Sequence, residues 1–130
     1  MTSLGRAADR AGPPAPELIV VVNGPEGAAA ADELLAASAG TVLRPVLVRL
    51  EDNTGFSGGA NAGVLRATGE VLVVANLDLT FDEAFLENLN RYASKQDWDF
   101  LAPRVVQGQD GQETGVSRRR RSHTLAWVTP

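Results

Sequence analysis

The chain has no cysteine and a single histidine among its 130 residues. The lack of thiols excludes disulfide bonds and thiolate metal sites, and it is typical of a cytoplasmic protein. No apolar run approaches the roughly 20 residues that a membrane-spanning helix needs, and the amino terminus lacks the apolar core of a signal peptide. His123 stands alone, so we expect neither a metal site nor a general base there.

The chain also lacks an excess of positive charge. Its net charge of -4 argues against a general nucleic-acid binder, and its 44% hydrophobic residues predict a globular protein with a modest core. The average hides one basic cluster, Arg118–Arg121. We interpret this cluster as a solvated loop. The alternatives are a grip on a diphosphate, or peripheral contact with an anionic membrane that carries a lipid-linked acceptor.

Apolar runs that alternate with helical segments predict an α/β domain, with a mostly parallel sheet and helices on both faces. The predicted strands are 18–22, 46–50 and 71–75. The predicted helices are 28–38, a second that Ser57 caps and that runs to about Thr68, and a third from a capping box at Thr80–Glu83 to about Ser94. Trp98–Ala102 predicts a further strand, and Asp110-Gly111 predicts a hairpin between Val105 and Val116.

Two segments carry the strongest functional signal. Residues 53–63 are rich in glycine, and the apolar run 71–75 is followed by Asn76-Leu77-Asp78. In an open α/β sheet, ligands bind at the carboxyl ends of the strands. An interior glycine costs a helix about 1 kcal/mol, so either close packing or close approach of a ligand must compensate. Phe56 is expected in the core.

The joined pattern resembles the donor-binding part of a family 2 glycosyltransferase, especially rhamnosyltransferase-like members. Those sequences typically read N-x-G-F-x-G-G-x-N-x-G, then an apolar strand, then N-P-D or D-x-D. The corresponding segments here are 53–63, 71–75 and 76–78. The resemblance covers about residues 17–107, and it implies a GT-A-like (Rossmann-like) α/β fold in truncated form. It leaves residues 1–16 as a partial helix and proline-rich linker, and 108–130 as a hairpin or extension.

The resemblance implies that the domain binds a nucleotide diphosphate sugar together with Mg or Mn. Asp78 would be the metal ligand, and Asn76 would contact the ribose. The nucleotide pocket would be lined by Asn53, Gly55, Gly58, Gly59 and Asn61. The competing interpretation is structural: Asn76 and Asp78 form only a turn before the next helix, and the glycines only permit close packing.

Three departures from the family pattern affect the expected function. Val22 stands where the family has an aspartate that contacts the base, the family's first strand has no counterpart, and the acceptor-binding half is missing. No residue can therefore be assigned as the catalytic base for an inverting transfer, and the acceptor, a glycan or a lipid-linked glycan, is unknown. An uncovered sheet edge would call for a second copy or a partner chain.

Two other functions compete with the enzyme. One is a non-catalytic nucleotide-binding or protein-interaction module, and the other is a different nucleotide-binding α/β protein that needs no metal at Asp78. In each case we expect a cytoplasmic location, with the basic cluster as the feature that would touch the inner face of a membrane.

Overall fold

The computed structural model describes residues 2–76, 78–95, 100–101, 103, 105–107, 112–114 and 118–119. The chain forms two compact units, of which the first extends to Arg91 and the second begins at Tyr92. The first unit contains helix α1 (Ser3–Ala11), strand β1 (Leu18–Asn23), a 3-10 turn (Pro25–Gly27), α2 (Ala28–Ser38), β2 (Pro45–Leu50), α3 (Gly55–Val64) and α4 (Phe85–Ala93), the last of which crosses the boundary.

The predicted strands at 18–22 and 46–50 are confirmed as a parallel pair. Leu18 of β1 lies opposite Pro45 of β2, and the register continues to Asn23 opposite Leu50. Because both strands run in the same direction, their carboxyl ends lie together at one edge of the sheet.

Helices cover both faces of β1, as the sequence predicts. Val20 and Val22 are buried on one face with Ala31 of α2. On the opposite face, Gly63 of α3 approaches Val21 so closely that a Cβ there would lie 3.2 Å from a Val21 methyl group. An apolar, β-branched strand that is buried on two sides is typical of a parallel sheet.

A second core joins α1 and α4. Ala7, Ala8 and Leu86 are buried together with Leu43. Two exposed ion pairs also connect α1 with the segment that contains α4: Arg6 with Glu83 at 3.2 Å, and Arg10 with Glu87 at 3.1 Å. Exposed pairs of this kind contribute about 0–1 kcal/mol each, so the apolar contact supplies most of the stabilisation.

The predicted strand at Val71–Ala75 is wrong. The segment has no strand hydrogen bonding, and its four large apolar side chains are between 40% and 57% exposed. A strand exists only where a neighbour satisfies its backbone groups, and among the described residues β1 pairs with β2 alone. The apolar side chains of this segment favour a strand, but a strand also needs a neighbouring strand to bond its backbone, and apolarity does not provide one.

Two predicted helix starts are also wrong. The N-cap of α3 is Thr54, and not Ser57, and the helix ends at Val64. Helix α4 begins at Phe85, and the Asp82 carboxylate accepts a hydrogen bond from the Ala84 N–H at 2.8 Å, in the turn before the helix. At the start of α3, hydrogen bonds from Thr54 to the distant Asn23 override the local signal.

The second unit contains β3 (Phe100–Leu101), β4 (Val105–Gln107), β5 (Gln112–Thr114) and β6 (Arg118–Arg119). Strands β4 and β5 are antiparallel, which confirms the predicted hairpin, and β3 pairs antiparallel with β6. Asp110-Gly111, His123 and the last two residues of the cluster Arg118–Arg121 lie outside the described residues. No helix in the described ranges is long and apolar enough to cross a membrane.

Candidate functional site

The carboxyl ends of β1 and β2 lie together at one edge of the sheet, which is where the α/β pattern predicts that a ligand binds. Asn23 ends β1, and the segment 51–54 leads from the end of β2 into α3. A cleft of about 300 Å³ opens at the same edge of the sheet. Its apolar wall is made by Val22, Pro25, Ala28 and Leu50, and its polar rim by Arg49 and Glu51. This volume lies at the lower end of the range for small-molecule pockets.

Val22 occupies the place where the resemblance leads one to expect an aspartate. Its side chain is only 4% exposed, and it packs with Ala31 beneath the cleft. The base of the cleft is therefore apolar at the position where a carboxylate would contact a nucleobase.

Asn23 binds the segment that starts α3. Its Oδ1 accepts hydrogen bonds from the Thr54 N–H and the Thr54 hydroxyl, both at 2.9 Å. Its Nδ2 donates to the Gly55 carbonyl at 2.8 Å and to Asn53 Oδ1 at 3.3 Å. Asn53 Oδ1 also accepts from the Gly55 N–H at 2.9 Å. One amide therefore fixes three consecutive residues to the end of β1.

The first turn of α3 is only partly capped. The N-cap residue, Thr54, makes no capping hydrogen bond, and its hydroxyl donates to Asn23 instead. The first N–H groups of an α-helix lack partners within the helix. Here Asn53 Oδ1 accepts from the Gly55 N–H, whereas the Phe56 and Ser57 N–H groups have no side-chain partner within the described residues. Gly55, the first residue of the helix, has φ of 72° and open space where a Cβ would stand.

The other glycines of α3 have a reason in packing. A Cβ on Gly59 would lie 3.2 Å from Asn23 Nδ2, and a Cβ on Gly58 would collide with the Thr54 side chain. Close packing, one of the two explanations that the sequence allows for these glycines, is therefore present. A contact of Gly58 or Gly59 with a ligand stays a prediction.

The remaining predicted site residues are not joined to this group by contacts. Asn61 is half-buried in the middle of α3. Asn76 and Asp78 are exposed and lie in a segment without strand structure. Within the described residues, no cluster of three or more acidic, histidine or cysteine side chains could hold a metal ion. The expectation that Phe56 belongs to the core is wrong, because its side chain is 67% exposed.

Sequence reasoning missed Asn23 and Thr54 as parts of the site. The predicted strand 18–22 stops one residue before Asn23, and the sequence assigns Asn23 no role. The available signal was position, because a side chain with both a donor and an acceptor directly follows a buried parallel strand. Thr54 had no comparable signal, since its role depends on a residue 31 positions away.

Comparison with known proteins identifies the family. The model of glycosyl transferase family 2 matches residues 3–128, which is nearly the whole chain. No curated protein and no solved structure matches the chain. Because the match extends through both units, from α1 to beyond β6, the chain belongs to glycosyl transferase family 2.

Proposed function

We propose that the chain binds the nucleotide diphosphate part of a sugar donor at the carboxyl ends of β1 and β2, as the donor-binding portion of an inverting glycosyltransferase. The observation that carries this proposal is the start of α3. The Phe56 and Ser57 N–H groups in its first turn have no side-chain partner within the described residues, and Asn23 holds the preceding residue, Thr54, at the carboxyl end of β1. Exposed N–H groups at a helix start attract phosphate oxygens, and family membership makes a nucleotide sugar the relevant anion.

Asn53 is well placed to contact the donor. Its Oδ1 is occupied by Asn23 and Gly55, while its Nδ2 makes no hydrogen bond within the described part of the chain. A side-chain N–H group at the edge of the sheet can donate a hydrogen bond to a phosphate or ribose oxygen of the nucleotide sugar. Within this proposal Gly55 leaves space for the diphosphate, and Asn61 and Asn76 line the nucleotide and ribose positions.

A divalent cation fits this chain only as a companion of the diphosphate. Asp78 offers one exposed carboxylate, and the described residues provide no cage for a resident ion. Mg²⁺ commonly binds one or two carboxylates together with substrate phosphates, so Asp78 is the proposed ligand for Mg or Mn. The cation would supply neutralisation of the charge that develops on the leaving diphosphate.

The second candidate function is a non-catalytic nucleotide-binding or protein-interaction module. The exposed segment Val71–Ala75 favours it, because Asp78 is then not fixed by a strand end. No described residue can be assigned as the base that would deprotonate an acceptor hydroxyl. Nucleotide binding without transfer would support this alternative. Membrane contact through Arg118–Arg121 and completion of the sheet by a second copy or a partner chain also remain proposals.

Titration calorimetry with UDP, GDP and dTDP, each with and without Mn²⁺, tests the proposed function. We expect at least one nucleotide to bind, and Mn²⁺ to strengthen its binding. A wild-type chain that binds none of the three, with or without Mn²⁺, contradicts the donor-site proposal.

Asp78→Ala tests the proposed metal ligand. We expect the variant to lose the Mn²⁺-dependent part of nucleotide affinity while it keeps its fold, since Asp78 is exposed. Glu70→Ala is the matched control, because it removes an exposed carboxylate at the other end of the same segment. Equal loss in both variants would point to general charge, and no loss in Asp78→Ala would remove Asp78 from the role.

A further inference from the structure

The contacts of Asn23 require an amide at that position. The Thr54 N–H can only donate, so the atom that faces it must accept. The Gly55 carbonyl can only accept, so the atom that faces it must donate. These two backbone groups fix the orientation of the Asn23 amide without reference to any other side chain. A carboxylate, which only accepts, or an apolar group of similar size cannot serve both.

The same amide sets the position of the proposed donor site. Asn23 Nδ2 donates to Asn53 Oδ1 and to the Gly55 carbonyl. The Thr54 hydroxyl donates to Asn23 Oδ1 and makes no capping hydrogen bond with α3. Gly24, directly after Asn23, has φ of 92°, and a Cβ there would lie 3.1 Å from the Asn53 nitrogen. The turn at 53–55 is therefore packed against the end of β1 as well as hydrogen-bonded to it.

We propose that Asn23 is a positioning residue that orders the turn Asn53–Gly55 and thereby sets the place of the groups that bind the nucleotide diphosphate. This inference rests on the proposed function for its effect on ligand binding. The ordering of the turn itself can be measured without a ligand. Asn23 acts through the turn, and it needs no contact with the donor.

Asn23→Asp is the most informative variant. The carboxylate keeps the shape of the amide and still accepts from Thr54, but it places a negative oxygen against the Gly55 carbonyl and Asn53 Oδ1. We expect the Thr54 and Gly55 amide hydrogens to exchange about ten-fold faster or more, and the affinity for UDP, GDP or dTDP with Mn²⁺ to fall by about ten-fold or more.

Two variants that introduce the same charge serve as controls for the exchange measurement. Asn53→Asp preserves both acceptor contacts of Oδ1 with Asn23 and Gly55, so the turn should keep its protection. Asn90→Asp adds a charge on the exposed side of α4, and it should change neither exchange in the turn nor nucleotide affinity.

Lower pH should partly rescue Asn23→Asp. The Gly55 carbonyl and Asn53 Oδ1 disfavour the charged carboxylate, whereas the two hydrogen bonds from Thr54 favour it. Protonation of the carboxyl at low pH restores a donor toward Gly55. Amide exchange, corrected for its intrinsic pH dependence, and affinity relative to wild type should both recover as the pH falls. A residue that merely filled space would give no such pH dependence.

The outcomes separate the two proposals. Wild-type exchange in Asn23→Asp, or equal loss of protection in Asn53→Asp, overturns the positioning role. If Asn23→Asp does not fold, Asn23→Ala removes both hydrogen-bonding groups without adding charge, and normal protection of the turn in that variant also overturns the role. If the wild type binds no nucleotide, the proposed function fails, while amide exchange still decides whether Asn23 orders the turn.

Discussion

At the residue scale, Leu43 is the largest fully buried side chain of the described residues. Leu43 is 1% exposed, and it packs with Ala7, Ala8 and Leu86 where α1 meets α4. Truncation of a fully buried leucine removes apolar burial and leaves a cavity. The sequence did not single out Leu43, because it lies in the loop before β2 and belongs to no helical or strand periodicity.

Leu43→Ala should therefore lower the free energy of unfolding by about 2–5 kcal/mol. Leu65→Ala is the matched control, since Leu65 is 85% exposed and its truncation should change stability by less than about 0.5 kcal/mol. Urea unfolding followed by circular dichroism measures both. Similar values for the two variants would mean that the α1–α4 core is not packed as described.

The site residues also differ in how far sequence could identify them. Asn53 and the glycines at 55, 58 and 59 were found because their spacing matches a family pattern. Asn23 was missed because its role arises from hydrogen bonds to residues about 30 positions away, which no local pattern encodes. The ligand contacts of all these residues stay predictions.

At the element scale, local signals were sufficient for β1, α2 and β2. Each has a continuous apolar or helix-forming run, and each finds the partner that the run requires. The same reasoning failed at Val71–Ala75. An apolar run predicts a buried strand only if a neighbouring strand is present, and no described residue provides one. The predicted start of α3 failed for a different reason, since the hydrogen bonds of Thr54 to the distant Asn23 place the N-cap at Thr54.

A lysine in the segment Val71–Ala75 should be tolerated. Val73 is 46% exposed, so Val73→Lys should change the free energy of unfolding by less than about 0.5 kcal/mol. Val20→Lys places the same side chain in β1, where Val20 is 3% exposed, and burial of its charge should prevent stable folding. Thermal unfolding of both variants tests the contrast. Strong destabilisation by Val73→Lys would show that the segment is buried in solution.

At the scale of the whole molecule, we expect association at two surfaces: the exposed apolar segment Val71–Ala75, and the edge of β1 that has no strand neighbour in the described part of the chain. The chain on either side of this segment is hydrogen-bonded to the amino-terminal part of the unit: the Thr68 N–H donates to Glu17 at 3.0 Å, and the Phe81 N–H donates to Ser3 at 3.0 Å. Within the described residues, the segment has no strand partner. Exposed apolar segments and strand edges are common sites of association between chains.

We expect the purified chain to show a mass above that of the monomer at high concentration, and we expect Val73→Lys to reduce this association. Light scattering over a range of protein concentrations measures the mass. Leu65→Lys is the matched control, because it introduces the same side chain at an exposed leucine outside the segment Val71–Ala75. A wild-type chain that stays monomeric throughout would contradict sheet completion by a second copy.

The central claim is that a nucleotide diphosphate binds where α3 starts, at the carboxyl end of β1. Titration of the ¹⁵N-labelled chain with UDP, GDP and dTDP in the presence of Mg²⁺, followed by amide chemical shifts, tests it most directly. The account predicts that at least one nucleotide shifts the amides of Thr54 to Gly59 more than those of α1 and α4. Unchanged shifts at Thr54 to Gly59 with all three nucleotides, or the largest shifts in α1 and α4, would contradict it.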